Sequence, residues 1–352
     1  MTLRIDIPHG GAPLRERRRG RGERSRILRI ALVNNMPDAA LTATERQFAS
    51  LIKAASGGWD VRLQLVALRS LPRGDRAREA MQGRYRAPRD LMAAPPDALI
   101  VTGADPRAAD LAEEPYWREL SDLIDWARGG VASALYSCLA AHAAVRRHDG
   151  VERRRRASKL SGVIAAEIVA THELTRGLEA LKTPHSRHND LAESDLVARG
   201  YRVLARSPEA GAEMFVREGA TLEVYWQGHP EYAADTLARE YRRDLLQFLS
   251  GERARPPALP DNYLSARRRA WLEARIAPAL RRKAADLALA LQAEDFAPAR
   301  AIWRADARRL ASNWLDAVAR RARAADRRLS AAPATTRAER RRKQEVGPSP
   351  SP

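Results

Sequence analysis

Apolar positions fall in short β-branched runs separated by longer amphipathic stretches, and the two alternate along most of the chain. Ile27–Val33 (ILRIALV) predicts a buried strand, broken by Asn34-Asn35-Met36-Pro37, and Leu41–Ala54 then repeats its apolar residues at helical spacing. Alternation over Val61–Val66 predicts a second strand, followed by a polar stretch with Pro72, Arg73 and Gly74. Ala98–Thr102 (ALIVT) is a third strand, and Leu120–Ala127 a helix closed by Gly129-Gly130. Val131–Tyr136 is a fourth strand, running into Ser137-Cys138 and the Ala-rich helix Leu139–Arg147. Between Val151 and Glu218 the pattern weakens to short strands at Gly162–Ile168 and Tyr201–Ala205, with a loop over Thr183–His188. Thr221–Trp226 is again a clear strand, followed by a turn over Gln227–Glu231 and a helix over Ala233–Leu249 with Asp235 as its N-cap.

Strands that alternate with helices at this spacing build βαβ units, so the expected fold is α/β with an open, mostly parallel sheet. After Gly251 the character changes. Arg255-Pro256-Pro257 and Pro260 mark a connection, and Ser265–Leu291 and Ala297–Arg323 predict amphipathic helices rich in Ala and Arg. The expected organisation is a basic disordered tail (1–26), an α/β domain (27–251), a helical extension packing on it (252–322) and a basic low-complexity tail (323–352).

The net charge of +18 changes this picture less than its size suggests. Residues 1–26 carry eight Arg against three acids, and residues 320–352 carry ten Lys/Arg against three, so +12 of the +18 lies in the two ends. Basic tails of this kind are typically solvated, and no recognition module or aromatic stacking platform accompanies them, so no specific nucleic-acid binding is expected. No apolar run approaches the roughly 20 residues that span a bilayer, and the first residues lack the apolar core of a secretory signal. Cys138 is the single cysteine, which rules out an intramolecular disulfide framework and suits a reducing cytoplasm. No metal site is expected.

Cys138 stands where a parallel strand hands over to a helix, the geometry of a nucleophile elbow. N–H groups at a helix start stabilise a thiolate and can donate to a developing oxyanion, here from Leu139, with Gly103 after the neighbouring strand as a second donor. By position alone, a small buried hydrophobe is an equal reading of this cysteine. His229-Pro230-Glu231 lies just past another strand, on the edge where open α/β sheets assemble their sites. A histidine can take the thiol proton, and a carboxylate can fix its tautomer. Alone, such a His and Glu would more often be a surface turn.

Cys138 followed about ninety residues later by His229-Pro230-Glu231 resembles the class I glutamine amidotransferase fold. Flanking motifs narrow the resemblance to the homoserine O-acyltransferase (homoserine transsuccinylase) family. They are Asn34–Phe48 (NNMPDAALTATERQF), Ile100–Ala104 (IVTGA), Tyr116-Trp117, Cys138–Ala143, Lys159–Val163 (KLSGV), Pro184–Arg187 (PHSR), Gly228–Tyr232 (GHPEY), Ala238–Asp244 (AREYRRD) and Trp303–Leu315 (WRADARRLASNWL), spanning about residues 28–318 in the family's order. The resemblance implies a ping-pong reaction in methionine biosynthesis. Cys138 would take the acyl group from acyl-CoA, succinyl favoured and acetyl possible, and L-homoserine would carry it away. It further implies substrate contacts from Lys159, Ser186 and Arg243, no cofactor beyond the acyl-CoA co-substrate, and a homodimer.

The chain also departs from the family's pattern. Leu139 and His142 stand where the family usually has Trp and Gln, and Arg107 falls at a position linked to the choice of acyl group. An arginine there would favour a succinyl carboxylate. His142, one helical turn from Cys138, is a competing base. Arg153–Arg156 is an alternative patch for CoA phosphates. These departures keep open a same-fold acyltransferase with another acceptor such as serine, or a glutamine amidotransferase-like hydrolase. From another class, a non-catalytic RNA-associated scaffold would have shown an eroded triad.

Overall fold

A computed structural model describes residues 3–6, 27–282, 298 and 300–331. The strands are β1 (Leu3–Asp6), β2 (Ile27–Val33), β3 (Asp60–Val66), β4 (Tyr85–Arg86), β5 (Ala98–Val101), β6 (Ser133–Ser137), β7 (Arg154–Ile168), β8 (Ala180–Asp190), β9 (Arg202–Ser207), β10 (Gly211–Arg217) and β11 (Leu222–Trp226). They form one sheet in the order β1-β3-β2-β5-β6-β11-β10-β9-β7-β8, with the two-residue β4 added to β3. From β1 to β11 every pairing is parallel, and from β11 to β8 every pairing is antiparallel. The run β3-β2-β5-β6-β11 has the 2-1-3-4-5 order of flavodoxin-like sheets, as the sequence pattern predicts.

The helices are α1 (Asp38–Ala55), α2 (Asp75–Met81), α3 (Pro88–Ala93), α4 (Trp117–Gly130), α5 (Leu139–Asp149), α6 (Glu193–Ala198), α7 (Thr236–Leu249), α8 (Ala266–Arg282) and α9 (Arg304–Ala331). Two apolar layers sandwich the parallel strands. Leu28, Ile30 and Leu32 of β2 pack with Phe48 and Ile52 of α1 and with Leu310, Trp314 and Val318 of α9. On the opposite face Ala31 and Val33 join Leu123 and Ile124 of α4 and the small residues Ala140, Ala141 and Ala144 of α5. Strands buried on both faces must be apolar at consecutive positions, which is why they read as continuous runs. Trp314 also pins α9 to the sheet, its indole N–H donating to Ser133 Oγ at 3.0 Å. A third cluster joins Tyr241 and Leu245 of α7, Leu272 and Ile276 of α8, and Trp303.

The structure departs from the sequence expectations chiefly in the following places. Leu3–Asp6, assigned to the disordered tail by charge, is an edge strand in register with Val61–Gln64 of β3; the rest of 7–26 lies outside the described residues. At the other end α9 continues through Ala331, past the expected tail boundary at 323, and residues 332–352 lie outside the described residues, as does 283–291 of the predicted helix Ser265–Leu291. Asp235 does occupy the N-cap position of α7, but its carboxylate pairs with Arg239 at 2.5 Å rather than capping an N–H. The largest difference is Thr183–His188, expected as a loop and found inside the strand β8. Its buried residues are Leu181, Thr183, His185 and Arg187 at alternate positions, together with Pro184, a pattern carried mostly by polar side chains and therefore absent from the hydropathy pattern. Pro184 is tolerated because β8 is the last strand of the sheet.

The antiparallel half curls back on itself. The main-chain carbonyl of Pro184 in β8 accepts a hydrogen bond from His229 N at 2.8 Å, beside the end of β11. The sheet edge thus meets the turn predicted to carry the catalytic pair.

Candidate active site

Strand β6 delivers Cys138 to the carboxyl edge of the sheet and α5 begins at the next residue. Cys138 has φ 52° and ψ −113°, a left-handed backbone that a non-glycine residue adopts at a cost of about 1–3 kcal/mol. Its N–H is held by Trp226 O of β11 at 2.7 Å and its carbonyl accepts from Ala141 N at 2.9 Å, so both flanking elements impose the bend. Cys138 is half-buried rather than sealed in the core. The sharp elbow read from sequence is present.

His229 and Glu231 follow β11 in the adjacent turn. His229 Nδ1 lies 2.8 Å from Glu231 Oε1, and both residues are buried. Burial opposes a charge on His229. The Glu231 carboxylate and the hydrogen-bonded Cys138 side chain more than offset it, and hold the imidazole well above its usual value of 6.5. The ring also stacks on Tyr232, with centroids 4.3 Å apart and planes 18° from parallel. Tyr232 is fixed in turn by its hydroxyl to Glu240 at 2.7 Å and by Trp303 Nε1, which donates to its carbonyl at 3.1 Å. Two motifs distant in sequence, GHPEY and the Trp303 segment, therefore lock one imidazole.

Around this centre a side chain would collide at Gly228 and be crowded at Gly103. A Cβ on Gly228 would sit 2.6 Å from Glu213 Oε1 and 2.7 Å from Thr183 Oγ1, so the turn can rest on that buried pair only without a side chain. A Cβ on Gly103 would meet the Leu139 Cβ at 3.1 Å and its nitrogen at 3.3 Å. The loop after β5 and the first turn of α5 thus lie against each other beside Cys138, bringing Gly103 and Leu139 together. First-turn N–H groups of a helix have no intrahelical acceptor, which leaves that of Leu139 available.

Lys159 and Arg243 also meet, although 84 residues apart by number. Lys159 Nζ donates to Asp244 Oδ2 at 2.8 Å, while Arg243 Nη2 and Nε reach Oδ1 at 2.7 and 3.0 Å. Arg253 Nη1 lies 3.0 Å from Oδ2, so one buried carboxylate organises three cations. Burial disfavours the Asp244 anion, but Lys159 and then Arg243 outweigh it and hold its pKa below 3.8. Lys159 falls where the β7–β8 register shifts between Arg155 and Leu160, an irregularity of the kind that re-aims a side chain. Ser186 pairs across with Ser161 in the same strand pair. Asp244 was not singled out from sequence, although it ends the AREYRRD motif; an acid directly after two arginines was the available signal.

His142 is not placed as a base. It is buried, its Nε2 is 2.8 Å from Gln227 Oε1, and desolvation pushes its pKa down to about 4. Arg107 lies exposed on the loop after β5, whose backbone is clamped by the buried Glu114: Arg107 N and Ala108 N donate to its Oε1 at 2.5 and 2.6 Å. Asp105 of the same loop is close enough to act electrostatically on Arg243. The Arg153–Arg156 run is largely committed to structural contacts. Arg153 donates to Ala109 O at 2.6 Å, Arg154 pairs with Asp195 at 2.6 Å, and Arg156 pairs with Asp190.

Comparison with known proteins adds to this geometry. The family model described as homoserine O-succinyltransferase matches residues 11–323. The chain belongs to the homoserine O-succinyltransferase family. A homoserine O-succinyltransferase from Methylorubrum extorquens is 48% identical over 299 residues, covering 84% of this chain and 88% of that protein. One from Rhodopseudomonas palustris is 51% identical over 247 residues, covering 70% of this chain and 74% of that protein. Among solved structures, a glutamine amido transferase from Methylobacillus flagellatus aligns with 83% of this chain and 95% of that chain, at 15% identity and a TM-score of 0.45. Membership in the family bears out the resemblance drawn from the motifs and the expectation of an acyltransferase enzyme.

Proposed function

We infer that the protein transfers a succinyl group from acyl-CoA to the hydroxyl of L-homoserine by a ping-pong route through an acyl-thioester on Cys138, a step of methionine biosynthesis. The observation that carries this reading is Cys138 at a strained elbow, hydrogen-bonded to a His229 whose other nitrogen is held by Glu231. In the first half-reaction the thiol proton already rests on His229, and the Cys138 thiolate attacks the thioester carbonyl. The tetrahedral oxyanion is met by N–H groups of Gly103 and Leu139. Collapse breaks the C–S bond to CoA, and His229 returns the proton to the departing thiolate. In the second half-reaction the homoserine hydroxyl gives its proton to His229 and attacks the acyl-thioester, and Cys138 leaves. Glu231 keeps Nδ1 engaged throughout, so that the opposite nitrogen handles the proton.

Lys159 and Arg243, drawn together on Asp244, supply surplus positive charge for a substrate carboxylate, with Ser186 on the neighbouring strand lining the acceptor side. Arg107, exposed after β5, is assigned to the succinyl carboxylate. The reading includes a cytoplasmic homodimer with no cofactor beyond acyl-CoA. Among the described residues no helix is long and apolar enough to cross a membrane.

Initial rates test the reading. With succinyl-CoA and homoserine both varied, double-reciprocal plots should be parallel, and succinyl-CoA should outperform acetyl-CoA. Intersecting lines would remove the acyl-enzyme. Faster turnover with serine than with homoserine would replace the acceptor.

A further inference from the structure

A cavity of about 800 Å³ opens beside the carboxyl end of β3, in the segment 67–87, away from the Cys138 elbow. Its lining includes Arg69, Arg73, Arg78 and Arg86 against the carboxylates of Asp75 and Glu79. Arg73 is the fixed member. Its side chain is only 6% exposed, and its guanidinium donates to Asn34 O at 3.2 Å and pairs with Asp38 at 3.1 Å, while its Nε has no hydrogen-bond partner among the described residues. Arg78 pairs with Asp75. Arg69 and Arg86 have no ion-pair partner among the described residues, and Arg86 Nε is likewise buried without an acceptor. Buried donors of this kind, on groups that stay charged, favour a polyanionic ligand.

Size and position narrow the class. The volume lies in the range of sites for drug-sized and cofactor-sized ligands and far exceeds what an amino-acid carboxylate needs. In the sheet order β3-β2-β5-β6, the cavity strand is three interstrand steps from the Cys138 strand, about 14 Å at about 4.8 Å per step. An extended pantetheine arm covers such a span. The strand ends between carry Asn34, Asn35, Thr102 and Gly103 at the β2–β5 position where the chain reverses direction across the sheet, the usual place for phosphates in open α/β sheets. The Arg153–Arg156 run, the other basic patch available for phosphates, is mostly tied up in internal contacts.

We propose that this arginine-lined cavity holds the 3′-phosphoadenosine diphosphate end of the acyl-CoA donor, which rests on the acyl-CoA reading above. The two unpaired guanidiniums, Arg69 and Arg86, grip the phosphates, and Arg73 forms the fixed floor. The test compares wild type with the Arg69→Ala/Arg86→Ala double variant on two donors, succinyl-CoA and succinyl-pantetheine, the second lacking the nucleotide. The KM for succinyl-CoA should rise about ten-fold or more relative to the KM for succinyl-pantetheine, since each lost charge-assisted contact weakens binding. Equal changes on both donors, or no change on either, would overturn the proposal. Calorimetric titration with 3′-phosphoadenosine 5′-phosphate separates the two readings. If neither donor turns over in wild type, the acyl-CoA function fails. The cavity is then judged by this titration alone: binding that the double variant loses sustains an adenosine-phosphate site, and no binding, or equal binding, ends it.

Discussion

Where β2, β5, β6 and β11 lie side by side, the groups between sheet and helices are mostly Leu, Ile, Val, Ala and aromatic rings, with Glu223 of β11, paired to Arg128 at 3.1 Å, as a buried exception; where the chain turns antiparallel, the buried groups include Thr183, His185, Arg187 and Glu213. His185 Nε2 is 2.9 Å from Glu213 Oε2, Arg187 Nε donates to His185 Nδ1 at 3.2 Å, and Thr183 donates to Glu213. Desolvation acts against charge on both His185 and Glu213. For Glu213 the neighbouring His185, Thr183 and Arg187 win, keeping its pKa below 4.5. The parallel half is thus held mainly by non-directional burial, and the antiparallel half by directional polar pairs that also support Gly228 beneath the catalytic turn. The first tolerates volume-conserving exchange. The second does not tolerate loss of a partner.

The two halves should therefore fail differently. Glu231→Gln, at their junction, should lower kcat by about 10²–10⁴-fold by removing the carboxylate that holds the imidazolium, with a stability loss smaller than that of Glu213→Ala because the amide keeps a hydrogen bond to the ring. Steady-state rates and urea titration read both quantities, and a large stability loss with modest kinetic change would erase the distinction. Glu213→Ala should do the reverse. It leaves buried His185 and Thr183 without their shared carboxylate and should cost about 3–5 kcal/mol of folding free energy. Replacing Leu32 by Met in the parallel half should cost less than about 1.5 kcal/mol. Similar losses at both sites would show that the two halves are built alike.

A pH titration of stability sharpens the contrast. His142, on α5 against the parallel strands, is held at about 4 by desolvation, against 6.5 when exposed. Between those values the unfolded chain binds a proton that the native state does not, so stability falls as pH drops from 6.5 towards 4, by on the order of 1 kcal/mol per pH unit. His148, likewise pushed down to about 4 by burial, adds to the same slope, so His142→Gln should reduce it by about one proton's share, and an unaltered slope would place the titration elsewhere. His229, raised above 6.5, keeps its proton in both states through most of this window and contributes little to the slope. The smallest effect is expected at the exposed Arg107. Arg107→Glu should lower the succinyl/acetyl rate ratio several-fold through a charge reversal at a solvated position. An unchanged ratio would detach Arg107 from donor choice.

The same contrast explains what the sequence made legible. β2, β5, β6 and β11 are mostly apolar runs whose ends carry Cys138 and His229, so the strand ends could be found from pattern, while the catalytic reading of Cys138 and of the His–Glu pair needed the flanking motifs. β8 could not, because its inward positions are polar and their partners come from β10, which topology rather than sequence brings near. β10 (GAEMFVR) carries its own buried acid and was passed over for the same reason. Asp244 was hidden likewise, since its value lies in Lys159, Arg243 and Arg253 converging on it from three segments. His142 was visible but its role was not: only burial and the Gln227 contact identify it as a neutral, packed histidine.

The central claim is that Cys138 carries the acyl group between donor and acceptor. Intact-mass measurement after incubation with succinyl-CoA tests it directly. Wild type should gain one succinyl mass, located on the peptide containing Cys138 and discharged by added L-homoserine, while Cys138→Ala should gain none. An adduct that persists in Cys138→Ala, or turnover to O-succinylhomoserine by that variant at rates near wild type, would contradict it.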